Sequence, residues 1–201
     1  MPDEAGSTAS GAARPPVRIG VLAVQGGFAV HLTHLGSIGA AGIEVRAPAD
    51  LRGLDGLILP GGESTTISKG IESAGLAEGI REHHAERRPI LGTCAGMIVA
   101  DRDHLGLIDI TTRRNAFGRQ LASFEDEIAL PGITDSPVRA VFIRAPWVEQ
   151  LGDSVEVLAE LRGHPVAVRQ ENVTALSFHP ELVGDDRIHA WFAGRCVRSR
   201  A

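Results

Sequence analysis

The chain has 201 residues, 43% of them hydrophobic and 22% charged, with 20 basic against 25 acidic side chains and a formal net charge of −5. That size and mix suit one globular domain with its own core, and the acidic balance argues against nucleic acid or an anionic membrane as the main partner. Aromatics make up only 4% and tyrosine is absent, so a base-stacking surface is not expected, and no apolar run approaches the roughly 20 residues needed to cross a bilayer.

Residues 1–16, MPDEAGSTASGAARPP, are rich in Gly, Ala, Ser and Pro and carry no apolar signal-peptide core. They read as a disordered tail, with a single domain over residues 17–201. VRIGVLAV (17–24) is an almost wholly apolar run, as expected of a strand buried on both faces. Helical spacing follows from Phe28 to about Ala41. IEVRA (43–47) and GLILP (56–60) are further strands, and residues 65–86 have a helical pattern that Gly70, Gly75 and Gly79 weaken. PILG (89–92) is a fourth strand. Strands alternating with helices predict βαβ units, and so a mostly parallel central sheet flanked by helices, an α/β fold in three layers.

Beyond Leu105 the pattern changes. LGLIDITTRR, EDEIAL, VRAVFIR, VEVLAEL, HPVAVRQ and VTALSFH are strand-like, separated by turn signals such as Pro131-Gly132 and Arg162-Gly163. One or more of these strands is expected to join the first sheet. A last helix runs from about Asp185 to Cys196, capped by Asp185 or Asp186.

Cys94 and Cys196 are the only cysteines, too few for a disulfide framework and without metal-ligand spacing, which points to a reducing, cytoplasmic setting. Cys94 lies in GTCAGM, between Gly92 and Gly96, straight after the fourth strand. A strand that ends in Gly-x-Cys-x-Gly and enters a helix makes a sharp, strained turn that presents the sulfur at the sheet's carboxyl end. The helix N-terminus favours thiolate over thiol, and the Ala95 N–H lies where an oxyanion could be held. A small buried hydrophobe is the other reading of such a cysteine. Cys196, in the last helix, is read as structural.

A nucleophilic thiolate needs a proton shuttle. Of eight histidines, His83 and His84 sit on a charged helix and look solvent-facing, and His31 and His34 lie on the first helix. His179 ends the apolar run in LSFHPEL, with Glu181 two residues on. On an extended backbone both point to one side, so the carboxylate could orient the imidazole; a strand-end histidine with a surface glutamate fits the same residues. In LILPGGEST, Gly61-Gly62 can offer backbone N–H groups and Glu63-Ser64-Thr65 can cap a helix, although a plain strand-to-helix turn reads the same way. The lysine of a phosphate-binding loop is missing.

Taken together, PGGEST, GTCAGM and SFHPEL resemble, in that order, the class I triad glutamine amidotransferases. GVLAVQGG, RRNAFGRQ with SFE, and VFIRAPW narrow the likeness to the glutaminase subunits of pyridoxal 5′-phosphate synthase, over about residues 17–192. The resemblance implies a flavodoxin-like fold with extra strands in the second half. It also implies hydrolysis of L-glutamine to L-glutamate and ammonia, with ammonia passed to a synthase subunit in a hetero-oligomer that makes vitamin B6.

Cys94 would then be the nucleophile, His179 the acid and base, and Glu181 its orienter. Gly62, Glu63, Ser64, Arg114, Ile143 and Arg144 would line the glutamine site, with Arg114 or Arg144 suited to the α-carboxylate. Gly61, Gly62 and Ala95 would hold the oxyanion. Gln25 and Gly26 would serve partner docking and completion of that hole, which implies low activity alone and stimulation on docking. No metal or organic cofactor is called for. Three features depart from the family pattern: Ala29-Val30 stand before His31 where an acidic residue is usual, the 98–104 stretch is short, and the N-terminal tail is extra. A glutaminase for a histidine or purine pathway synthase, or a non-catalytic regulatory subunit of the same fold, are the alternative readings. RRNAFGRQ and VFIRAP favour the pyridoxal 5′-phosphate synthase glutaminase over both.

Overall fold

The computed structural model describes residues 15–118 and 123–199. The expected tail, apart from Pro15 and Pro16, and the Arg119-Gln120 end of RRNAFGRQ lie outside the described residues.

The first half is built as the alternation predicts. β1 (Arg18–Leu22) leads to α1 (Phe28–Ser37), β2 (Ala41–Val45) and β3 (Gly56–Leu59). Next come α2 (Ser64–Ser73), α3 (Ala77–Ala85), β4 (Ile90–Thr93) and α4 (Ala95–Ala100). The second half adds β5 (Ile110–Arg113), β6 (Ser123–Ile128), β7 (Val138–Ile143) and β8 (Trp147–Leu151). It closes with β9 (Glu156–Leu161), β10 (His164–Gln170), β11 (Val173–Leu176) and α5 (Arg187–Ser199).

Seven strands form one sheet in the order β2-β1-β3-β4-β11-β10-β9. The first five run parallel, and β10 and β9 extend the sheet antiparallel. The parallel part has the flavodoxin-like order, in which ligands bind outside the strands' carboxyl ends. β3, β4 and β11 are buried at every position, so their sequences are mostly apolar rather than alternating, with Thr93 and Thr174 the buried polar residues in them. On one face the core takes Ile67 and Ile71 of α2, Ile80 of α3 and Met97 and Val99 of α4. On the other it takes Leu35 of α1 and Ile188, Phe192 and Cys196 of α5. Two antiparallel pairs, β5 with β8 and β6 with β7, stand beside the main sheet.

Several expectations are corrected. α1 stops at Ser37 rather than near Ala41, because Gly39 adopts φ +75° and the Ala40 N–H bonds back to the Leu35 carbonyl, closing the helix. The helix expected over 65–86 is two helices. Gly75 at φ +66° breaks it, and the Leu76 N–H returns to the Ile71 carbonyl. Only Ile110–Arg113 of the expected 105–114 strand is extended, and β8 has no counterpart among the strands expected from the sequence. At the start of α5 it is Asp185 that accepts the Arg187 N–H, at 3.0 Å, while the Asp186 carboxylate turns to His34 and Ser37. Among the described residues, no helix is long and apolar enough to cross a membrane.

Candidate active site

Cys94 sits at the elbow between β4 and α4 with φ +48° and ψ −108°, a conformation that costs a non-glycine residue about 1–3 kcal/mol and persists only where the surroundings impose it. The surroundings do so. The Cys94 N–H donates to the Leu176 carbonyl of β11 at 2.8 Å. A β-carbon on Gly92 would lie 2.8 Å from the Gly96 carbonyl oxygen, and one on Gly96 would run into the Leu59 carbonyl of β3. Only a glycine on each side of the cysteine permits so tight a return. The thiol is nearly buried, 6% exposed, and reaches the Ile143 carbonyl at 3.9 Å.

His179 follows β11, the strand paired with β4, so the sheet itself brings the two side chains together. Its N–H donates to the Val141 carbonyl of β7 at 2.9 Å, which holds the backbone in place. Its Nδ1–H donates to Glu181 Oε1 at 2.7 Å, and the ring faces Cys94. The local backbone differs from the extended one expected: residues Pro180–Leu182 form a 3-10 turn that swings Glu181 back beneath the ring. Burial pulls the His179 pKa down, but hydrogen bonds to Cys94 and Glu181 and their charges outweigh it and lift it to about 10. Burial pushes the Glu181 carboxyl up, and the His179 hydrogen bond together with the His31 and His179 rings brings it below its ordinary value.

The double-glycine turn lies against this pair. A β-carbon on Gly61 would strike His179 Cε1 and lie 3.3 Å from Cys94 Cβ. Its carbonyl accepts the Gly27 N–H at 3.0 Å, and Gln25 Oε1 accepts the Glu63 N–H at 3.1 Å. Gly26, at φ +100°, has no room for a side chain beneath the Gly61 carbonyl. The loop after β1 is thus clasped onto the turn after β3. Glu63 caps α2, accepting from the N–H groups of Thr65 and Thr66 and the Thr66 hydroxyl, and these bonds hold its pKa at about 2.

A cavity of about 290 Å³ opens over the sulfur. Gln25, Gly62, Glu63, Ser64, Ala95, Arg114, Ile143 and Arg144 all line it with Cys94 and His179, so nearly every residue singled out from the sequence meets here. Gly61, Gly26 and Glu181 lie behind this lining. Arg114 reaches across the mouth to Glu63 at 3.0 Å and Thr65 at 3.2 Å. Arg144 stands at φ +45° beyond β7. Asn115 at φ +49°, Ile98 and Pro146 also line the cavity and were not anticipated; a positive φ at Asn115 follows from the turn after β5 and leaves no periodic signal.

The remaining histidines depart from expectation. His83 is 2% exposed rather than solvent-facing, with burial pulling its pKa to about 4, and His84 is half-buried. His31, set aside on the first helix, is fully buried with its Nε2 3.5 Å from Glu181 Oε2. Cys196 packs in the core beneath Gly56, as a structural residue does.

Comparison with known proteins agrees with this geometry. The chain is 50% identical over 202 residues to the pyridoxal 5′-phosphate synthase subunit PdxT of Kineococcus radiotolerans, covering 92% of this chain and 97% of that protein. It is 51% identical over 192 residues to the subunit of that name from Corynebacterium jeikeium, covering 90% and 97%. A crystal structure of a glutamine amidotransferase superposes with a TM-score of 0.84 at 42% identity, over 89% of this chain and 98% of that one. PurLQS from Thermotoga maritima, at 17% identity, shares the fold with a TM-score of 0.68 over 92% and 96%. The model of the SNO glutamine amidotransferase family matches residues 21–198, and the chain belongs to that family.

Proposed function

We propose that this chain is the glutaminase subunit of a pyridoxal 5′-phosphate synthase, with residues 17–201 acting as one domain and a separate synthase subunit consuming the ammonia. The observation that carries the catalytic reading is the line of Cys94, His179 and Glu181 at the carboxyl ends of two paired strands, with a 2.7 Å bond from imidazole to carboxylate. PdxT subunits at about half identity over nearly their whole length support the pathway assignment.

In this reading the Cys94 sulfur attacks the side-chain amide carbon of glutamine. His179, held protonated by Cys94 and Glu181, gives its proton to the departing amine and then takes one from the water that releases glutamate. The Ala95 N–H, at the start of α4 where backbone donors have no partner within the helix, and the Gly61-Gly62 turn stabilise the oxyanion. Gly62, Glu63, Ser64, Ile143 and Arg144 shape the glutamine site. Arg144 serves the α-carboxylate better than Arg114, whose guanidinium is already bonded to Glu63. Gln25 and Gly26 couple the partner's docking to the oxyanion turn they clasp, so turnover rises on docking. The chain acts in the cytoplasm.

The test is glutamate release from L-glutamine by the full chain, with and without the synthase subunit of the same organism. Cys94→Ala is expected to abolish release while leaving the thermal melt in place. Full turnover by that variant would overturn the nucleophile assignment. Stimulation by a histidine or purine pathway synthase instead would move the chain to another pathway.

A further inference from the structure

Behind the cavity, on the side away from the substrate, lies a chain of buried histidines. Glu181 uses Oε1 for His179, and Oε2 is buried without a hydrogen-bond partner among the described residues, with His31 Nε2 3.5 Å away. His31 Nε2 also lies 3.3 Å from the Thr93 hydroxyl at the end of β4. On its other side, His31 Nδ1 is 2.9 Å from His189 Nε2 of α5. Both rings are fully buried. His189 stacks at 4.5 Å on His34, whose Nε2 lies 3.0 Å from the Glu181 carbonyl oxygen and whose Nδ1 lies 2.5 Å from Asp186 Oδ1.

The tautomers follow from these partners. A carboxylate only accepts, so a bare Nε2 lone pair on His31 facing Glu181 Oε2 in a dry interior would be repulsive. His31 therefore carries its proton on Nε2. Its Nδ1 is then an acceptor and takes the His189 Nε2–H, leaving His189 Nδ1 bare; that atom has no hydrogen-bond partner among the described residues. Burial pulls the His31 pKa to about 4 and that of His189 to about 3, which keeps both rings neutral, as single-donor tautomers require. A directed hydrogen bond thus joins α5 to α1 and leaves the His31 Nε2 proton as a close polar contact, at 3.5 Å, of the unbonded carboxylate oxygen.

We propose that His31 is a positioning residue for the Glu181–His179 pair, its Nε2–H steadying the second carboxylate oxygen electrostatically across 3.5 Å while His189 locks its tautomer. The inference rests on the triad reading above. Without this tether, no N–H dipole faces the unbonded oxygen, so the Glu181 carboxylate takes up a proton at higher pH and is free to rotate away from His179. The groups facing the Glu181 carboxylate are His179 and His31, with His34 on its backbone carbonyl and Cys94, His189 and Asp186 beyond them, so the acid side of the pH profile reports on this cluster.

The experiment uses the full chain with its synthase subunit and compares His31→Asn with His31→Gln. Both are polar, but only the glutamine carries an amide N–H out to where the histidine Nε2–H stands. His31→Asn is expected to lower kcat roughly tenfold, with KM within about twofold. It is also expected to move the acid limb of kcat/KM upward by about one pH unit, and His31→Gln should recover most of both. Equal losses in the two variants, or a His31→Asn profile that overlays the wild type, would overturn the inference. If His31→Asn gives no cooperative melt, His189→Leu is read instead: it keeps His31 but frees its tautomer, a smaller upward move of the same limb supports the tether, and an unmoved limb refutes it. A wild-type chain inert toward glutamine removes the triad reading and this inference together. An active wild type with an unchanged His31→Asn removes only the latter.

Discussion

Gly61 is a glycine because of its neighbour. Its absent side chain leaves the space that the His179 ring occupies, so Gly61→Ala is expected to push the imidazole away from Cys94. Displacements of about 1 Å cost on the order of 100-fold in rate. Steady-state kinetics should register that loss while circular dichroism stays unchanged; a variant within twofold of wild type would mean the ring does not need its present place. Glu181→Gln probes the same pair from below. It keeps the shape but removes the charge, so the His179 pKa falls from about 10, and kcat should drop by at least about 100-fold. An NMR titration of the His179 ring reads the first effect independently of turnover. At this scale Cys94, His179 and Glu181 were legible because each sits beside a local signal: glycines flanking a thiol, or a histidine ending an apolar run. His31 had none, since its partner is 150 positions away in the sequence and a histidine on an amphipathic helix looks like many others.

At the level of elements, the elbow between β4 and α4 depends on contact between two backbones. A methyl group on Gly96 meets the Leu59 carbonyl, which belongs to the sheet and cannot yield as a flexible side chain would. Gly96→Ala is therefore expected to force α4 off β3 and destabilise the fold by about 2–3 kcal/mol, read as a lower urea midpoint. An unchanged midpoint would show that α4 shifts freely. Removing the carboxylate that caps α5, in Asp185→Ala, should cost about 1 kcal/mol in the same assay. β1, β3, β4 and β11 could be read from the chain because strands covered on both faces leave nearly continuous apolar runs. β8 could not: Trp147–Leu151 is mostly exposed, pairs only with β5, and leaves no apolar run. The division of α2 from α3 was masked by an apolar face that continues across Gly75.

For the molecule as a whole, burial of neutral histidines sets the response to pH. His31, His83 and His189 have pKa values lowered to about 4, about 4 and about 3, against 6.5 when unfolded. Below pH 6.5 the unfolded chain therefore takes up protons that the folded chain refuses, so stability is full above that pH and declines as pH falls toward 4, by up to about 1.4 kcal/mol per pH unit for each histidine. His179 acts in the opposite sense: its raised value contributes stability below pH 6.5 that is lost as pH rises toward 10. Urea melts at pH 5, 6 and 7 should show the midpoint climbing; a flat series would mean these rings are hydrated. The parallel, flavodoxin-like arrangement was legible from the alternation of strands and helices, whereas the insertion of β11 beside β4 was foreseen only as some later strand joining the sheet. That insertion has a consequence for synthesis. While the ribosome is still making residues 94–172, β4 has a bare, apolar edge with nothing to pair with, and at ordinary translation speeds the gap lasts on the order of several seconds. The newborn polypeptide is most open to sticking to its neighbours in that interval, and arrival of the final parallel strand both closes the edge and delivers the imidazole to the sulfur.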